Sequence, residues 1–153
     1  MFFLDSSALV KRYLSEQGSR WIAELCLPDS AATILIAEIT RVEVAAAIAG
    51  RQRASDGITR EERDRLVAIL LRHCDSEYTL VPLQRQVFGA AVELTQRHRL
   101  RGYDAVQLAA ALDASRAATT AGLPSLTFVS ADGDLNAAAR AEGLQADDPN
   151  QHP

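Results

Sequence analysis

Four acidic residues spread along the chain are of a type, and in surroundings, that could form one catalytic site. Asp5 and Asp132 each follow a short apolar run, and Glu43 and Asp104 each lie near the start of an alanine-rich apolar stretch. A carboxylate among apolar residues is costly to bury unless it is paired or binds a cation. Acids that meet in one cleft repel each other, and Mg²⁺ or Mn²⁺ neutralises them most simply. The chemistry expected of such a cluster is phosphate binding and activation of water.

Each of these acids also has a simpler interpretation when it is taken alone. Asp5 and Asp104 stand where a helix is predicted to begin, and a carboxylate there stabilises the free N–H groups. The segment 132–134, Asp-Gly-Asp, is typical of a turn. Glu43 is harder to explain in this way because its neighbours are apolar. Taken together, the four acids favour a shared bound cation more strongly than any one of them does alone.

The elements that must position the acids follow from the hydrophobic pattern. Short apolar or β-branched runs predict strands at residues 2–4, 33–36, 78–83 and 126–129, with an edge strand at 144–146. Helical spacing predicts helices at residues 5–14, 18–27, 40–50, 59–71, 84–98, 103–118 and 135–142. Strands that alternate with helices indicate an α/β fold with a parallel sheet, here of four to five short strands flanked by helices. Such sheets place their sites at the carboxyl ends of the strands, where Asp5 and Asp132 would lie.

Composition limits the class of protein. The 153 residues suffice for one domain, and 48% hydrophobic with 24% charged residues is typical of a soluble globular chain. The net charge of −4 argues against a generic basic nucleic-acid-binding domain. No apolar run approaches a membrane span and the first residues lack a basic signal-peptide region, so we expect a cytoplasmic protein without membrane association.

Smaller features complete this outline. Cys26 and Cys74 lie in apolar helical contexts and are expected to be buried thiols, because no Cys/His set has zinc-site spacing. We predict one domain over residues 1–147 and a polar, frayed tail over residues 148–153.

Four short motifs, in order along the chain, resemble those of the PIN-domain ribonucleases, in particular the VapC-type toxins of bacterial and archaeal toxin–antitoxin pairs. They are FLDSSAL at 3–9, ITRVE at 39–43, YDAVQLAAA at 103–111 and VSADGDL at 129–135. The likeness spans residues 2 to about 149. Carried over position by position, it implies that the metal-binding, catalytic residues are Asp5, Glu43, Asp104 and Asp132, with Asp134 as a fifth acid and Ser130 as a supporting hydroxyl.

The resemblance implies a metal-dependent endoribonuclease. One or two Mg²⁺ or Mn²⁺ ions would activate a water that attacks an RNA phosphodiester in line, leaving a 3′-hydroxyl and a 5′-phosphate. It also implies a homodimer and a cognate antitoxin whose helix or strand fills a groove near the site. The segment 9–25 could supply that groove, although its apolar residues are explained more simply as core: Leu9, Val10, Tyr13, Leu14, Trp21, Ile22 and Leu25.

The substrate would need positive charge near the acids. The basic residues closest in sequence are Lys11, Arg12, Arg51, Arg53, Arg97, His98, Arg99 and Arg101. Aromatic residues make up only 5% of the chain, so we expect little base stacking. Gln107, where many relatives carry His, is interpreted as a tolerated change on a helix face that does not touch the acids. Glu38 and Asp113 are expected to be solvent charges.

Three other functions compete with this reading. One is a catalytically silent module of the same fold that binds a protein or RNA, with the acids serving as caps and turns. The second is a receiver-like signalling domain, which would need a phosphoacceptor Asp after the third strand and a late Lys, and both are missing. The third is a dehalogenase-type phosphatase, which would need Asp-x-Asp after the first strand, where the chain has Asp5-Ser6-Ser7.

Overall fold

A computed structural model describes residues 1–152, and five short parallel strands form its central sheet. The strands are β1 (Phe2–Leu4), β2 (Ile34–Ala37), β3 (Thr79–Val81), β4 (Thr127–Val129) and β5 (Gln145–Asp147). Their order across the sheet is β3-β2-β1-β4-β5. The predicted α/β class, parallel sheet and edge strand are therefore confirmed. Because strand order reverses at β1, the crevice expected to hold a site opens beside that strand.

Seven helices cover the sheet. They are α1 (Ser6–Leu9), α2 (Ser19–Leu25), α3 (Thr40–Arg53), α4 (Arg60–Ser76), α5 (Arg85–Arg97), α6 (Gly102–Thr120) and α7 (Gly133–Ala141). Short 3₁₀ turns occupy Val10–Arg12, Pro28–Ser30 and Pro149–Gln151. Within residues 1–152, no helix is both long and apolar enough to span a bilayer.

Two hydrophobic clusters lie on opposite faces of the sheet. Phe3 of β1 packs with Leu108 of α6 in a cluster that also takes in α5 and α7. Leu4, the next residue, packs with Ile48 of α3 and Leu70 of α4 on the other face. Successive side chains of a strand point to opposite faces, so a strand covered on both sides is apolar throughout. This explains why the strands are recognisable as short continuous apolar runs.

Local signals predict some helix ends well and others poorly. The backbone N–H of Glu62 donates to the Thr59 hydroxyl, and the backbone N–H of Thr59 donates to the Glu62 carboxylate. The predicted cap of α4 is therefore confirmed as a capping box. Helix α3 does not close near Gly50 but continues to Arg53. A glycine inside a helix costs only about 1 kcal/mol, which packing against α4 can offset.

The expectation of a frayed tail is wrong for residues 149–152, which pack on the start of α2. Pro149 is buried, and the His152 ring stacks on Trp21 with centroids 4.0 Å apart. Gly18 has a left-handed φ of 80°, and a Cβ there would lie 2.2 Å from the Pro149 carbonyl oxygen. Only glycine permits this close approach. Pro153 lies outside the described residues, and the predicted boundary at 147 stays a prediction.

Candidate functional site

The structure brings the four predicted acids, Asp5, Glu43, Asp104 and Asp132, to one edge of the sheet; they are called the four acids below. Asp5 follows β1, Glu43 lies in the first turn of α3 after β2, Asp104 lies in the first turn of α6, and Asp132 caps α7 after β4. They form a chain of like charges. In addition to burial, which is the largest cause, the charge of Glu43 raises the pKa of Asp5, the charge of Asp104 raises the pKa of Glu43, and the charge of Asp132 raises the pKa of Asp104.

Asp5 is the most deeply placed of them, with 3% of its surface exposed. Its carboxylate accepts hydrogen bonds from the Ala8 backbone N–H (2.9 Å), the Ser7 hydroxyl (2.8 and 3.0 Å) and the Ser130 hydroxyl (2.8 Å). Burial nevertheless raises the pKa of Asp5 to about 6. The Asp5 carboxylate has about four lone-pair positions and these three groups are its donors, which leaves one position for a further partner such as a cation.

The two serines that bind Asp5 also hold the loop before α7. The Ser7 hydroxyl accepts the Ala131 N–H (2.9 Å), and the Ser130 hydroxyl accepts the Asp132 N–H (3.0 Å). The Asn136 amide donates to the Ser130 carbonyl (2.7 Å). Ser130 thus lies where a supporting hydroxyl was predicted. The sequence reasoning missed the parts that Ser7 and Asn136 play, although Asn136 stands among apolar residues of α7.

Gln107 contacts Glu43, so the expectation that this change on a helix face does not touch the acids is wrong. Its side chain is 1% exposed, and its amide nitrogen donates to Glu43 (2.5 Å) and to the Thr40 hydroxyl (2.9 Å). The Thr40 hydroxyl in turn donates to the Gln107 carbonyl oxygen (3.1 Å). Burial raises the pKa of Glu43 against the lowering effect of this amide. The missed signal was a polar residue within an apolar helix, the same signal that singled out Glu43.

The other acids are more open. Asp104 is half-buried, and burial followed by the charge of Asp132 raises its pKa. Asp132 is exposed and caps α7 through one oxygen, which accepts the N–H groups of Asp134 (2.9 Å) and Leu135 (3.0 Å). Its second oxygen faces no such donor among residues 1–152. Asp134 is exposed and lines a cleft on the same side of α7.

The donor set fits a hard cation. All five acids offer oxygen ligands, which Mg²⁺ and Mn²⁺ prefer. Within residues 1–152, none of the five forms a salt bridge with a Lys or Arg. No group of three or more His, Cys, Asp or Glu side chains in residues 1–152 converges closely enough to hold a metal ion as it stands. The carboxylates are thus spread along this edge of the sheet.

Most of the basic residues that lie near the acids in sequence already form salt bridges. Lys11 pairs with Glu16 (3.2 Å), and Arg12 with Glu77 (2.7 Å). Arg51 pairs with Asp56, while Arg97 and His98 both contact Glu142. Arg99 and Arg101 form no salt bridge with any residue from 1 to 152. The exposed Glu38, which precedes α3, pairs with Arg41 of α3, and the half-buried Asp113 pairs with Arg116, also on α6.

A separate cleft of about 600 Å³ lies away from the four acids. Its lining combines apolar residues with charged ones: Tyr13, Leu14, Ser15, Glu16, Arg51, Ile58, Glu62, Arg65 and Leu66. Of the segment 9–25 that was considered for a groove, Leu9, Val10 and Ile22 are buried in the core. Of the apolar residues considered for that groove, Tyr13 and Leu14 line this cleft, together with Ser15 and Glu16 of the same segment.

The chain is similar to known proteins over almost its full length. The profile of the PIN domain family matches residues 2–141. No curated protein matches the sequence.

Three solved structures share the fold at low identity. A chain of a toxin–antitoxin complex from Klebsiella pneumoniae is 17% identical, with a TM-score of 0.60 over 97% of this chain and 98% of that one. The sarcin-ricin-loop-cleaving toxin VapC20 of Mycobacterium tuberculosis is 14% identical, with a TM-score of 0.61 over 94% and 96%. A chain of VapBC2 from Rickettsia felis, bound to promoter DNA, is 14% identical, with a TM-score of 0.60 over 96% and 97%.

Proposed function

This chain belongs to the PIN domain family, and from that premise we propose that it is a metal-dependent endoribonuclease and the toxin of a toxin–antitoxin pair. The observation that carries the proposal is the chain of carboxylates at the carboxyl edge of the sheet, which repel one another and include a buried Asp5 with a raised pKa. Such an arrangement costs stability unless it binds a cation. The similar folds of toxin–antitoxin proteins agree with this proposal.

In this proposal residues 1–147 form the nuclease domain, and its site contains only oxygen ligands. The residues that would hold one or two Mg²⁺ or Mn²⁺ ions are Asp5, Glu43, Asp104 and Asp132, with Asp134 as a fifth. When bound, the metal makes water a nucleophile at neutral pH and stabilises negative charge on the phosphodiester.

The chain's own residues orient these ligands. Ser7 and Ser130 donate to Asp5 and fix the loop that carries Asp132, so they hold two acids from distant segments in one arrangement. Gln107 donates to one oxygen of Glu43 and holds that carboxylate against the interior. No His or Lys is needed as nucleophile or base.

A cognate antitoxin is the proposed protein partner. The cleft lined by Leu14, Ile58 and Leu66 offers an apolar floor, and Glu16, Arg51, Glu62 and Arg65 offer charged walls. An amphipathic helix binds such a groove through apolar anchors on one face. A toxin of this kind would act in the cytoplasm, where its RNA substrate lies.

The alternative is a silent PIN-fold module that binds RNA or a protein without cleaving. One observation favours it: the acids do not converge on a metal-binding point within residues 1–152. Asp5 and Asp132 also serve as helix caps, which is the role this alternative assigns to them.

The decisive experiment is cleavage of total cellular RNA by the antitoxin-free protein, with Mg²⁺, with Mn²⁺ and with EDTA. We expect discrete products that disappear with EDTA and in Asp5→Asn. Asp64→Asn is the matched control, because Asp64 is an exposed acid of α4 paired with Arg63, and it should cleave like the wild type. Intact RNA after incubation with folded, metal-saturated protein would favour the silent module instead.

A further inference from the structure

Three exposed side chains border the acids at the start of α6. Arg99 and Arg101 lie in the loop between α5 and α6, and Tyr103 lies in the first turn of α6. We call these three residues the rim. We infer that the rim binds an unpaired stretch of the RNA strand, with the arginines on its phosphates and Tyr103 stacked on a base; this inference rests on the proposed ribonuclease function.

The position of Tyr103 sets it beside the reacting groups. It directly precedes Asp104, and it comes four residues before Gln107, whose amide contacts Glu43. Residues four apart lie on one face of a helix, and helical side chains lean toward the N-terminus. The exposed Tyr103 ring therefore leans to the N-terminal side of the buried Gln107 and is next in the chain to Asp104. It is 64% exposed, whereas the other two tyrosines, Tyr13 and Tyr78, are buried.

The two arginines, like Arg53, differ from the basic residues near the acids that form salt bridges. Arg97 and His98, immediately before them, are held by Glu142, while Arg99 and Arg101 have no such partner among residues 1–152. Together with Leu100 and Asp134, they line an open cleft of about 400 Å³. The cleft thus joins free guanidinium groups to an acid of the proposed metal site. Arg101 is the N-cap residue of α6 and precedes Asp104 by three residues.

This combination suits one class of ligand. Guanidinium groups bind phosphate through paired, charge-assisted hydrogen bonds. An exposed aromatic ring stacks on any base with little regard to sequence, but only on a base that has left its helix. The rim therefore selects single-stranded RNA, such as a loop, over a continuous duplex. The early expectation that base stacking is minor would fail at this one tyrosine.

The test measures RNA binding separately from cleavage. The Asp5→Asn chain would be titrated with a labelled uridine oligonucleotide and with a blunt RNA duplex at several salt concentrations. Arg99→Gln/Arg101→Gln is compared with Arg60→Gln/Arg72→Gln, which removes the same charge from two exposed arginines of α4. Tyr103→Ala is compared with Tyr103→Phe, which keeps a stacking ring.

Loss of two phosphate contacts should weaken oligonucleotide binding about tenfold and reduce the slope of log affinity against log salt by about 1.4, at about 0.7 per contact. The control pair should leave that slope unchanged. Tyr103→Ala should weaken oligonucleotide binding by about 5- to 150-fold. Tyr103→Phe should stay within about twofold of the parent, and the duplex should bind equally to all three Tyr103 forms.

Other outcomes would overturn the inference. If the wild-type chain cleaves RNA but the rim and control variants bind RNA equally, the proposed nuclease function stands and the rim has no part in RNA binding. A change of oligomeric state in Tyr103→Ala, without a change in RNA affinity, would make this surface a protein contact. Absence of both cleavage and RNA binding in the wild type would overturn the inference together with the proposed function.

Discussion

The carboxylate of Asp5 caps α1 and faces the other acids at the same time. Its hydrogen bonds to Ala8, Ser7 and Ser130 fix its orientation, but they do not cancel the cost of burying it. Capping and metal binding are therefore compatible roles for one side chain. The same holds for Asp132, which uses one oxygen as a cap and keeps the other for the cleft.

Replacing Asp5 with Asn should stabilise the metal-free protein. Burial raises the pKa of Asp5 from 3.8 to about 6, so the folded chain binds more protons than the unfolded chain between about pH 4 and about pH 6. Wild-type stability therefore falls as the pH rises through that window, and Asp5→Asn should escape this loss. We expect a gain of about 1–3 kcal/mol at pH 7.5 in EDTA that shrinks as the pH falls through about 6 and is lost below about pH 4.

Thermal melts in EDTA and in Mn²⁺ would test this. Mn²⁺ should raise the melting temperature of the wild type and of Asp64→Asn but not that of Asp5→Asn. A lower melting temperature for Asp5→Asn in EDTA at pH 7.5 would contradict the expectation, because it would mean that the carboxylate stabilises the empty site.

Gln107 should act as a positioning residue for Glu43. In Gln107→Leu/Thr40→Val, which removes the donor without leaving Thr40 unpaired, we expect Mn²⁺ affinity by calorimetry to fall about 10- to 100-fold. Affinity for RNA should change little, and excess metal should restore much of the turnover. Gln107→His retains a donor and should lie closer to the wild type.

The matched control is Gln96→Leu on the exposed face of α5, which should bind metal normally. If Gln107→Leu/Thr40→Val binds Mn²⁺ as tightly as the wild type, Gln107 is a packing residue and does not position Glu43.

At the scale of secondary-structure elements, sequence was informative where a signal is local. The buried strands and the capping box of α4 depend on neighbours within a few residues, and both were predicted. The acids were found because their surroundings are apolar. Gln107 has equally apolar surroundings, but the partners that explain it, Thr40 and Glu43, lie on another helix. The packed tail likewise depends on a distant contact, that of Pro149 with Gly18.

The tail contact gives a prediction for the ring stacked on Trp21. His152→Ala should lower the free energy of unfolding by about 0.5–1.5 kcal/mol, because the variant loses an aromatic pair. Trp21 is the sole tryptophan, so its emission should shift to the red as one face of the indole becomes exposed. Gln151→Ala, at an exposed neighbour, is the control. Identical emission spectra for His152→Ala and the wild type would show that the stack is absent in solution.

At the scale of the whole molecule, the site exists only when the sheet is complete. The four acids come from segments near residues 5, 43, 104 and 132, and the order β3-β2-β1-β4-β5 brings the ends of β1, β2 and β4 together. The topology that assembles them could be predicted as a class, because parallel α/β sheets place sites at their carboxyl edge. The individual distances could not, since they depend on how α3 and α6 pack.

We expect the homodimer, which stays a prediction, to form through an exposed apolar surface on α5 and α6. Phe88 and Val92 lie one turn apart on α5 and are 49% and 64% exposed beside an apolar cleft that includes Val106. Burying such side chains in a partner is favourable, and introducing charges there opposes it. We expect light scattering to find a dimer for the wild type and a monomer for Phe88→Glu/Val92→Glu.

The control, Leu27→Glu/Leu123→Glu, alters leucines of similar exposure (55% and 54%) and should remain dimeric. A wild-type monomer, or dissociation only in the control, would place the interface elsewhere.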